Sequence, residues 1–216
     1  MTERLVLHTD AFWISPYVFS CFVTLREKGL AFEIATVPLQ EGAHRRPEFR
    51  DKSITARVPA LDHGDFRLGE SSAIIDYLEE AFPAPQTPSV YPERIRDRAR
   101  ARQILAWVRS DLGALREERS TTTMFYEPAR TPLTPAGRAA ADKLLRVADL
   151  LVPADGGPLF GSWSIADADL AFMLHRLIRS GDDVPARIRA WAGSQWSRPS
   201  VREFVEHPRD PYVPYG

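Results

Sequence analysis

The stretch Arg57–Leu78 reads RVPALDHGDFRLGESSAIIDYL. Val58-Pro59 opens an extended run that reaches Asp62, and His63-Gly64-Asp65 makes a tight turn. Phe66 to Leu68 is a second short extended run, which leads through Gly69 into Glu70-Ser71-Ser72. An amphipathic pattern starts at Ala73-Ile74-Ile75. The stretch therefore predicts strand, hairpin, strand and then a helix over 71–81. A helix start offers unpaired N–H groups. Glu70 adds an acid and Ser71 a hydroxyl, so this junction suits a small zwitterionic head group. The ligand's carboxylate would sit on the helix N-terminus and its ammonium would pair with Glu70.

Upstream, Leu5-Val6-Leu7 fits a buried strand. Val18, Cys21, Phe22 and Leu25 fall on one helical face, entered at Ser15-Pro16 and closed at Lys28-Gly29. Phe32 to Val37 alternates like a second strand, and the polar run Gln40 to Thr55 has room for one irregular helix. The order βαβ followed by ββα predicts an α/β domain with a mixed four-stranded sheet over residues 1–82. Pro83, Pro85 and Pro88 mark residues 83–92 as a linker. Residues 93–216 read as all-α. Leu105, Val108, Leu112 and Leu115 form a stripe on one long helix from about Glu93, and Ser120 to Thr134 reads as a polar loop. A further helix is expected over 135–151, with shorter ones near 185–192 and 200–206. Between them, Ser164 and Asp167 have the spacing of a capping box, a structural role, ahead of Leu170, Met173, Leu174 and Leu177.

Composition excludes several classes. The chain has 216 residues, 44% apolar and 26% charged, with a net charge of -1, so nothing favours nucleic acid or an anionic membrane surface. The basic cluster Arg94 to Arg102 is interrupted by acid and reads as a solvated helix face. Cys21 is the single cysteine, which excludes an internal disulfide and a cysteine-rich metal site. No apolar run approaches the roughly 20 residues needed to span a bilayer, and no apolar leader opens the chain, so the expectation is a cytoplasmic protein without a membrane partner.

Three junctions carry chemistry. Ser15 sits at a strand-to-helix junction, either as a plain N-cap or as a hydroxyl donor to a thiolate above the helix N-terminus. Val58-Pro59 is either a proline at a strand start or a cis proline that turns the Val58 backbone outward to pair with an extended peptide. Glu70-Ser71 is either a helix cap or the head-group site described above. Together with Ser164-x-x-Asp167, these motifs resemble the glutathione S-transferase family, in its bacterial serine type with a Ser-Pro-Tyr motif. The resemblance covers nearly the whole chain. It implies a thioredoxin-like first domain, an all-helical second domain, and glutathione as cosubstrate with no tightly bound cofactor and no metal. It also implies that Val58, before the cis Pro59, binds the cysteinyl backbone and that Glu70 and Ser71 hold the γ-glutamyl head. Contacts to the glycine end fall to His44 or Gln40.

Ser15-Pro16-Tyr17 stands where thiol-transferring relatives carry Cys-Pro-Tyr, so serine replaces the thiol that would form a mixed disulfide. Ser15 is the implied catalytic hydroxyl, with Tyr17 as its rival, while Cys21 shares the apolar face and reads as core. The resemblance implies a second-substrate pocket between the domains, with Phe12 and Trp13 as one wall and Trp107, Asp111 and Arg116 as the other. Trp107 equally suits interface packing, and Arg116 and Arg119 either stabilise an anionic leaving group or pair with Glu117 and Glu118. The expected activity is glutathione transfer to small electrophiles, with peroxide reduction as a possible second reaction, by a homodimer. The alternatives are a glutathione-dependent disulfide reductase, a double-bond isomerase or dehalogenase, and a non-catalytic binding protein on the same scaffold.

Overall fold

The computed structural model describes residues 3–215. Strands β1 (Leu5–Asp10), β2 (Glu33–Val37), β3 (Ala60–His63) and β4 (Phe66–Gly69) form one sheet in the order β2-β1-β3-β4. β2 is parallel to β1, whereas β3 is antiparallel to both β1 and β4. The parallel pair requires a crossover, and α1 (Pro16–Glu27) supplies it. The β3–β4 connection is a tight turn at Gly64, whose φ of +62° suits glycine. This is the mixed four-stranded βαβ-ββα arrangement of a thioredoxin-like α/β domain.

Sequence signals fix the ends of α1. Ser15 Oγ accepts from Val18 N at 3.3 Å, Pro16 takes the first helical position, and the chain leaves through Lys28 and Gly29 at φ +66°. α3 (Ser71–Ala81) packs beside α1, and both lie on the sheet. Val18, Phe22 and Leu25 from α1 and Ile74, Ile75 and Leu78 from α3 are buried there. Burying one such side chain contributes about 1.5–3 kcal/mol. A second cluster joins Val37, Phe49 and Ala60 with Leu39, Ala43 and Val58. The stretch expected to hold one irregular helix contains two 3-10 turns, at 39–41 and 43–45, and then α2 (Pro47–Arg50), which carries Phe49. Gly42, at φ +68°, separates the two turns.

Contacts divide the chain into two units: residues up to Val90 together with the segment from Glu203, and Tyr91–Arg202. The proline-rich stretch is tied to the sheet unit as far as Val90. Lys28 is almost fully buried, and its Nζ donates to Glu79 Oε2 at 2.9 Å and to the Pro88 carbonyl at 3.1 Å. Glu79 also accepts from Ser89 Oγ and from Val90 N. The sequence reading kept everything after residue 93 with the helices. The segment from Glu203 instead packs on the sheet unit, because Phe204 is fully buried against Trp13, Phe19 and Phe22, and Glu203 pairs with Arg26 at 2.6 Å.

The helical unit comprises α4 (Ile95–Ser110), α5 (Gly113–Glu118), α6 (Thr121–Phe125), α7 (Pro135–Leu151), α8 (Ile165–Ser180), α9 (Ala186–Trp196) and the start of α10 (Pro199–Val205). Leu105, Val108, Leu112 and Leu115 are all buried, but they do not share one helix. The chain breaks at Leu112, which is left-handed at φ +61°; Asp111 Oδ1 takes Leu112 N, and Arg116 donates to the Arg109 carbonyl at 2.8 Å. The stretch read as a polar loop contains α6. Among the described residues no helix is long and apolar enough to cross a membrane.

α8 contains His175, buried and stacked on Trp196 at 3.8 Å, with Nε2 3.2 Å from the Ala192 carbonyl. Burial, opposed by the bond to the Ala192 carbonyl and aided by Arg179 and Arg189, leaves its pKa at about 4. The unfolded chain therefore binds a proton at this site first, near the ordinary value of 6.5. The stability that a neutral His175 provides is present above that pH and is lost as pH falls through about 4. Chemical denaturation of wild type and His175→Gln should show the wild type losing stability more steeply across this window. Parallel curves would contradict the assignment.

Candidate active site

The antiparallel register brings three chain segments to one end of the sheet. Ala60 pairs with Gly69 on one side and with His8 on the other. Val58 and Pro59 immediately precede β3, Glu70 and Ser71 immediately follow β4, and Thr9 and Asp10 close β1. The Val58–Pro59 peptide is cis, as the sequence reading anticipates.

Glu70 holds φ +65° and ψ 117°, a conformation that side chains other than glycine rarely adopt and that costs about 1–3 kcal/mol. Its side chain is exposed and makes no capping bond to α3. Ser71 begins α3 and is buried, and its carbonyl accepts from Cys21 Sγ at 3.8 Å. Cys21 itself is fully buried in the apolar face of α1, which is the core role read from the sequence.

Ser15 is half-buried at the N-terminus of α1. Its backbone N donates to Asp10 Oδ1 at 3.2 Å, and Ile14 N donates to Asp10 Oδ2 at 2.9 Å. Its Oγ accepts from Val18 N, and among the described residues its hydroxyl proton has no acceptor. Tyr17, the rival donor, is half-buried in the first turn of α1. Asp10 is the residue that sequence reasoning missed. It is fully buried at the end of β1, and burial pushes its carboxyl up while the bonds from Ile14, Ser15 and Tyr215 pull it down. The available signal was an acid closing an apolar strand just before the Ser-Pro junction.

Gln40 and His44 lie on the two 3-10 turns, and each carries a buried atom, Oε1 and Nδ1 respectively, without a hydrogen-bond partner. Burial, then neighbouring Arg45, lowers the His44 pKa. A buried polar atom without a partner costs about 1–3 kcal/mol, so both suit a ligand that supplies the missing partners. On the sheet below, Asp62 accepts from both sides of the Arg67 guanidinium, and from His8 at 2.9 Å. Burial raises the Asp62 carboxyl, and the Arg67 and His8 bonds outweigh it, leaving it below its ordinary value.

Phe12 and Trp13 correct the sequence expectation. Neither is an open pocket wall: they are 4% and 7% exposed. Phe12 meets Tyr212 and Tyr215, and Trp13 stacks on His207 at 3.7 Å. In the helical unit, Trp107 Nε1 donates to Asp111 Oδ2 at 2.9 Å, and Lys143 donates to the same oxygen. Lys143 and the Leu112 amide hold the Asp111 carboxyl down at about 2, so Asp111 is a fixed anion that ties α4 to α7. Trp107 also lines a groove of about 250 Å³ with Ile104, Val147 and Leu151. Arg116 closes the α4–α5 corner through the Arg109 carbonyl. Arg119 forms its ion pair with Asp182 and donates to the Glu118 and Thr131 carbonyls. Ser164 N and Oγ both donate to buried Asp167, which also takes Leu159 N, so this pair caps α8 and secures the turn before it.

A helix N-terminus with a hydroxyl, an uncommitted acid beside a second helix start, and an extended segment between them can hold a peptide that carries an amino-acid head and a thiol. Comparison with known proteins agrees. Residues 11–86 match the model of the glutathione S-transferase N-terminal domain, and residues 94–208 match that of the C-terminal domain. A glutathione transferase homologue from Burkholderia gl BGR1, solved with bound glutathione, is 40% identical, covering 94% of this chain and 97% of that one at a TM-score of 0.76. A glutathione S-transferase from Rhodospirillum rubrum F11 is 25% identical, covering 98% and 96%, at a TM-score of 0.75. Mouse (Mus musculus) glutathione S-transferase theta-3 is 35% identical over 86 residues, 40% of this chain. That match spans about a third of the mouse protein's length, 35%. With both domain models matched in order along one chain, this protein belongs to the glutathione S-transferase family.

Proposed function

We propose that this chain is a glutathione transferase that binds glutathione at the end of its sheet and presents the thiol as a thiolate to an electrophilic small molecule. The observation that carries the reading is Glu70, a non-glycine residue at φ +65° whose exposed carboxylate caps nothing, at the start of α3 and beside the cis Val58–Pro59 segment. Strain of this kind persists where a ligand site needs the side chain in that place. In this reading the ammonium of the γ-glutamyl head pairs with Glu70, and its carboxylate meets Ser71 and the N-terminus of α3. The cysteinyl backbone pairs with Val58 as a short added strand. Gln40 and His44, with their unpaired buried atoms, serve the glycine end.

The thiol then lies over Ser15. A free thiol titrates near ~8.5, and each unit of depression requires about 1.4 kcal/mol of preference for the anion. The N-terminus of α1 contributes roughly 0.3–1 kcal/mol. A hydroxyl bond to the thiolate contributes roughly 1.5–3 kcal/mol. Together they bring the thiol to within reach of neutral pH. The thiolate attacks the electrophilic carbon, a carbon–sulfur bond forms, and the leaving group departs with the bonding pair. Cys21 is fully buried, so a route through a protein–glutathione mixed disulfide has no accessible thiol. Reduction of a disulfide on this scaffold would therefore use two glutathiones and no protein thiol. The same reading includes a homodimer, which sedimentation velocity tests.

At glutathione one hundred times its Kd, linkage adds about 2.7 kcal/mol. A chain of this length should then melt roughly 5–10 °C higher. The absence of any shift would end the reading. Ser15→Ala should lower turnover of a model electrophile by about 10–100-fold while glutathione affinity stays within a few-fold. Unchanged turnover would transfer the role to Tyr17 or to backbone donors. Glu70→Gly should separate strain from binding: unfolding stability should hold or rise by about 1 kcal/mol as the strain is relieved. Glutathione affinity should fall about tenfold or more as the ammonium loses its partner. A Glu70→Gly protein that binds glutathione normally would remove Glu70 from the site.

A further inference from the structure

The loop between β1 and α1, residues Ala11–Ile14, delivers Ser15, yet it makes little structure of its own. Its one internal backbone bond is a long one, Trp13 N to the Asp10 carbonyl at 3.4 Å. Trp13 sits at φ +51°, a left-handed conformation unfavourable for a bulky side chain. Besides the Asp10 carboxylate and the Phe22 and Phe204 rings, the loop is held by the segment after α10. Arg209 donates through Nη2 and Nε to the Trp13 carbonyl, at 3.0 and 3.3 Å. The same guanidinium donates to the carbonyls of Phe204, Val205 and His207, so it is itself held rigidly. The His207 ring stacks on the Trp13 indole at 3.7 Å. Tyr215 OH donates to Asp10 Oδ2 at 3.2 Å, the oxygen that also takes Ile14 N. Tyr212 and Tyr215 together enclose Phe12.

We infer that Arg209 and Tyr215 are positioning residues for the Ser15 hydroxyl: Arg209 locks the left-handed Trp13, and Tyr215 fixes the Asp10 carboxylate that holds the Ile14 and Ser15 amides. The inference rests on the proposed role of Ser15 as the thiolate's hydrogen-bond donor. The backbone of Ser15 is held through Asp10, and its side chain follows that backbone. Without Arg209, Trp13 relaxes toward negative φ, the following peptides rotate, and the hydroxyl leaves its place. In the proposed reading glutathione is held by Val58, Glu70 and Ser71, with Gln40 and His44 at its glycine end, all outside the Ala11–Ile14 loop, so the lock is expected to act on the thiol more than on affinity.

The test compares Ser15→Ala, Tyr215→Phe, Arg209→Lys and wild type, all as the full chain. Three quantities are measured: glutathione Kd by calorimetry, the apparent pKa of the bound thiol from its ultraviolet thiolate absorbance across pH, and melting temperature. Tyr215→Phe keeps the ring on Phe12 and removes only the hydroxyl, so it remains informative if Arg209→Lys folds poorly. For both segment variants the expected result is a Kd within about threefold of wild type and a thiol pKa raised by about one unit, a tenfold loss of thiolate at neutral pH. Turnover should fall in proportion at neutral pH and recover at alkaline pH, where the thiol ionises without help. Ser15→Ala should show the same signature, more strongly. A lowered melting temperature with the thiol pKa unchanged in both segment variants, but raised in Ser15→Ala, would overturn the positioning role and leave the Ser15 reading standing. An unchanged thiol pKa in Ser15→Ala as well would overturn both.

Discussion

The pairing of β3 with both β1 and β4 is the constraint on which the candidate site depends. Because β3 is antiparallel to each neighbour, the start of β3, the end of β1 and the end of β4 meet at one end of the sheet. Side chains alternate faces along each strand, so a slip of one residue would turn Leu7 and Leu61 out of the core on one face and Ala60 out of the cluster with Phe49 on the other. The core therefore sets the register, and the register sets which ends of β1, β3 and β4 come together, the ends to which Ser15, Val58, Glu70 and Ser71 are attached. Ser15 caps α1 and Val58 packs on the Phe49 cluster, whereas the backbone of Glu70 works against stability.

Trp13 and Glu70, two of the non-glycine residues at positive φ, adjoin this end of the sheet. They are maintained in different ways. Glu70 is supported on either side by β4 and α3, while its own side chain stays uncommitted. Trp13 is held by bonds and ring stacking from a segment almost two hundred residues later in sequence. The sheet unit is thus completed by chain that lies beyond the helical unit, and Phe204, fully buried against Trp13, Phe19 and Phe22, anchors that return.

Local signals made much of this legible in the sequence. The strand–turn–strand–helix run from Val58, the Ser15-Pro16 helix start and the Ser164–Asp167 cap all depend on residues a few positions apart, and each appears where the sequence puts it, while the cis form of Val58–Pro59 is the one of two readings that only the family resemblance implies. What was not legible depends on distant partners. The stripe through Leu105, Val108, Leu112 and Leu115 has helical spacing, and only the Asp111, Arg109 and Arg116 bonds show that the helix breaks inside it. Phe12 and Trp13 looked like pocket walls because large aromatic residues beside a helix start suit that role. Their actual partners, Tyr212, Tyr215 and His207, lie in a proline-rich segment that carries no periodic signal. Asp10 was missed for the same reason, since its role appears only when the amides of Ile14 and Ser15 are seen to converge on it.

The central claim is that the end of the sheet reads the γ-glutamyl head of glutathione through Glu70, Ser71 and the start of α3. Calorimetric titration with glutathione and with cysteinylglycine, the same thiol peptide without that head, tests it most directly. Loss of the ammonium pair and of the carboxylate on the helix N-terminus should weaken the dipeptide by at least about thirtyfold relative to glutathione. Equal affinity for the two would contradict the account.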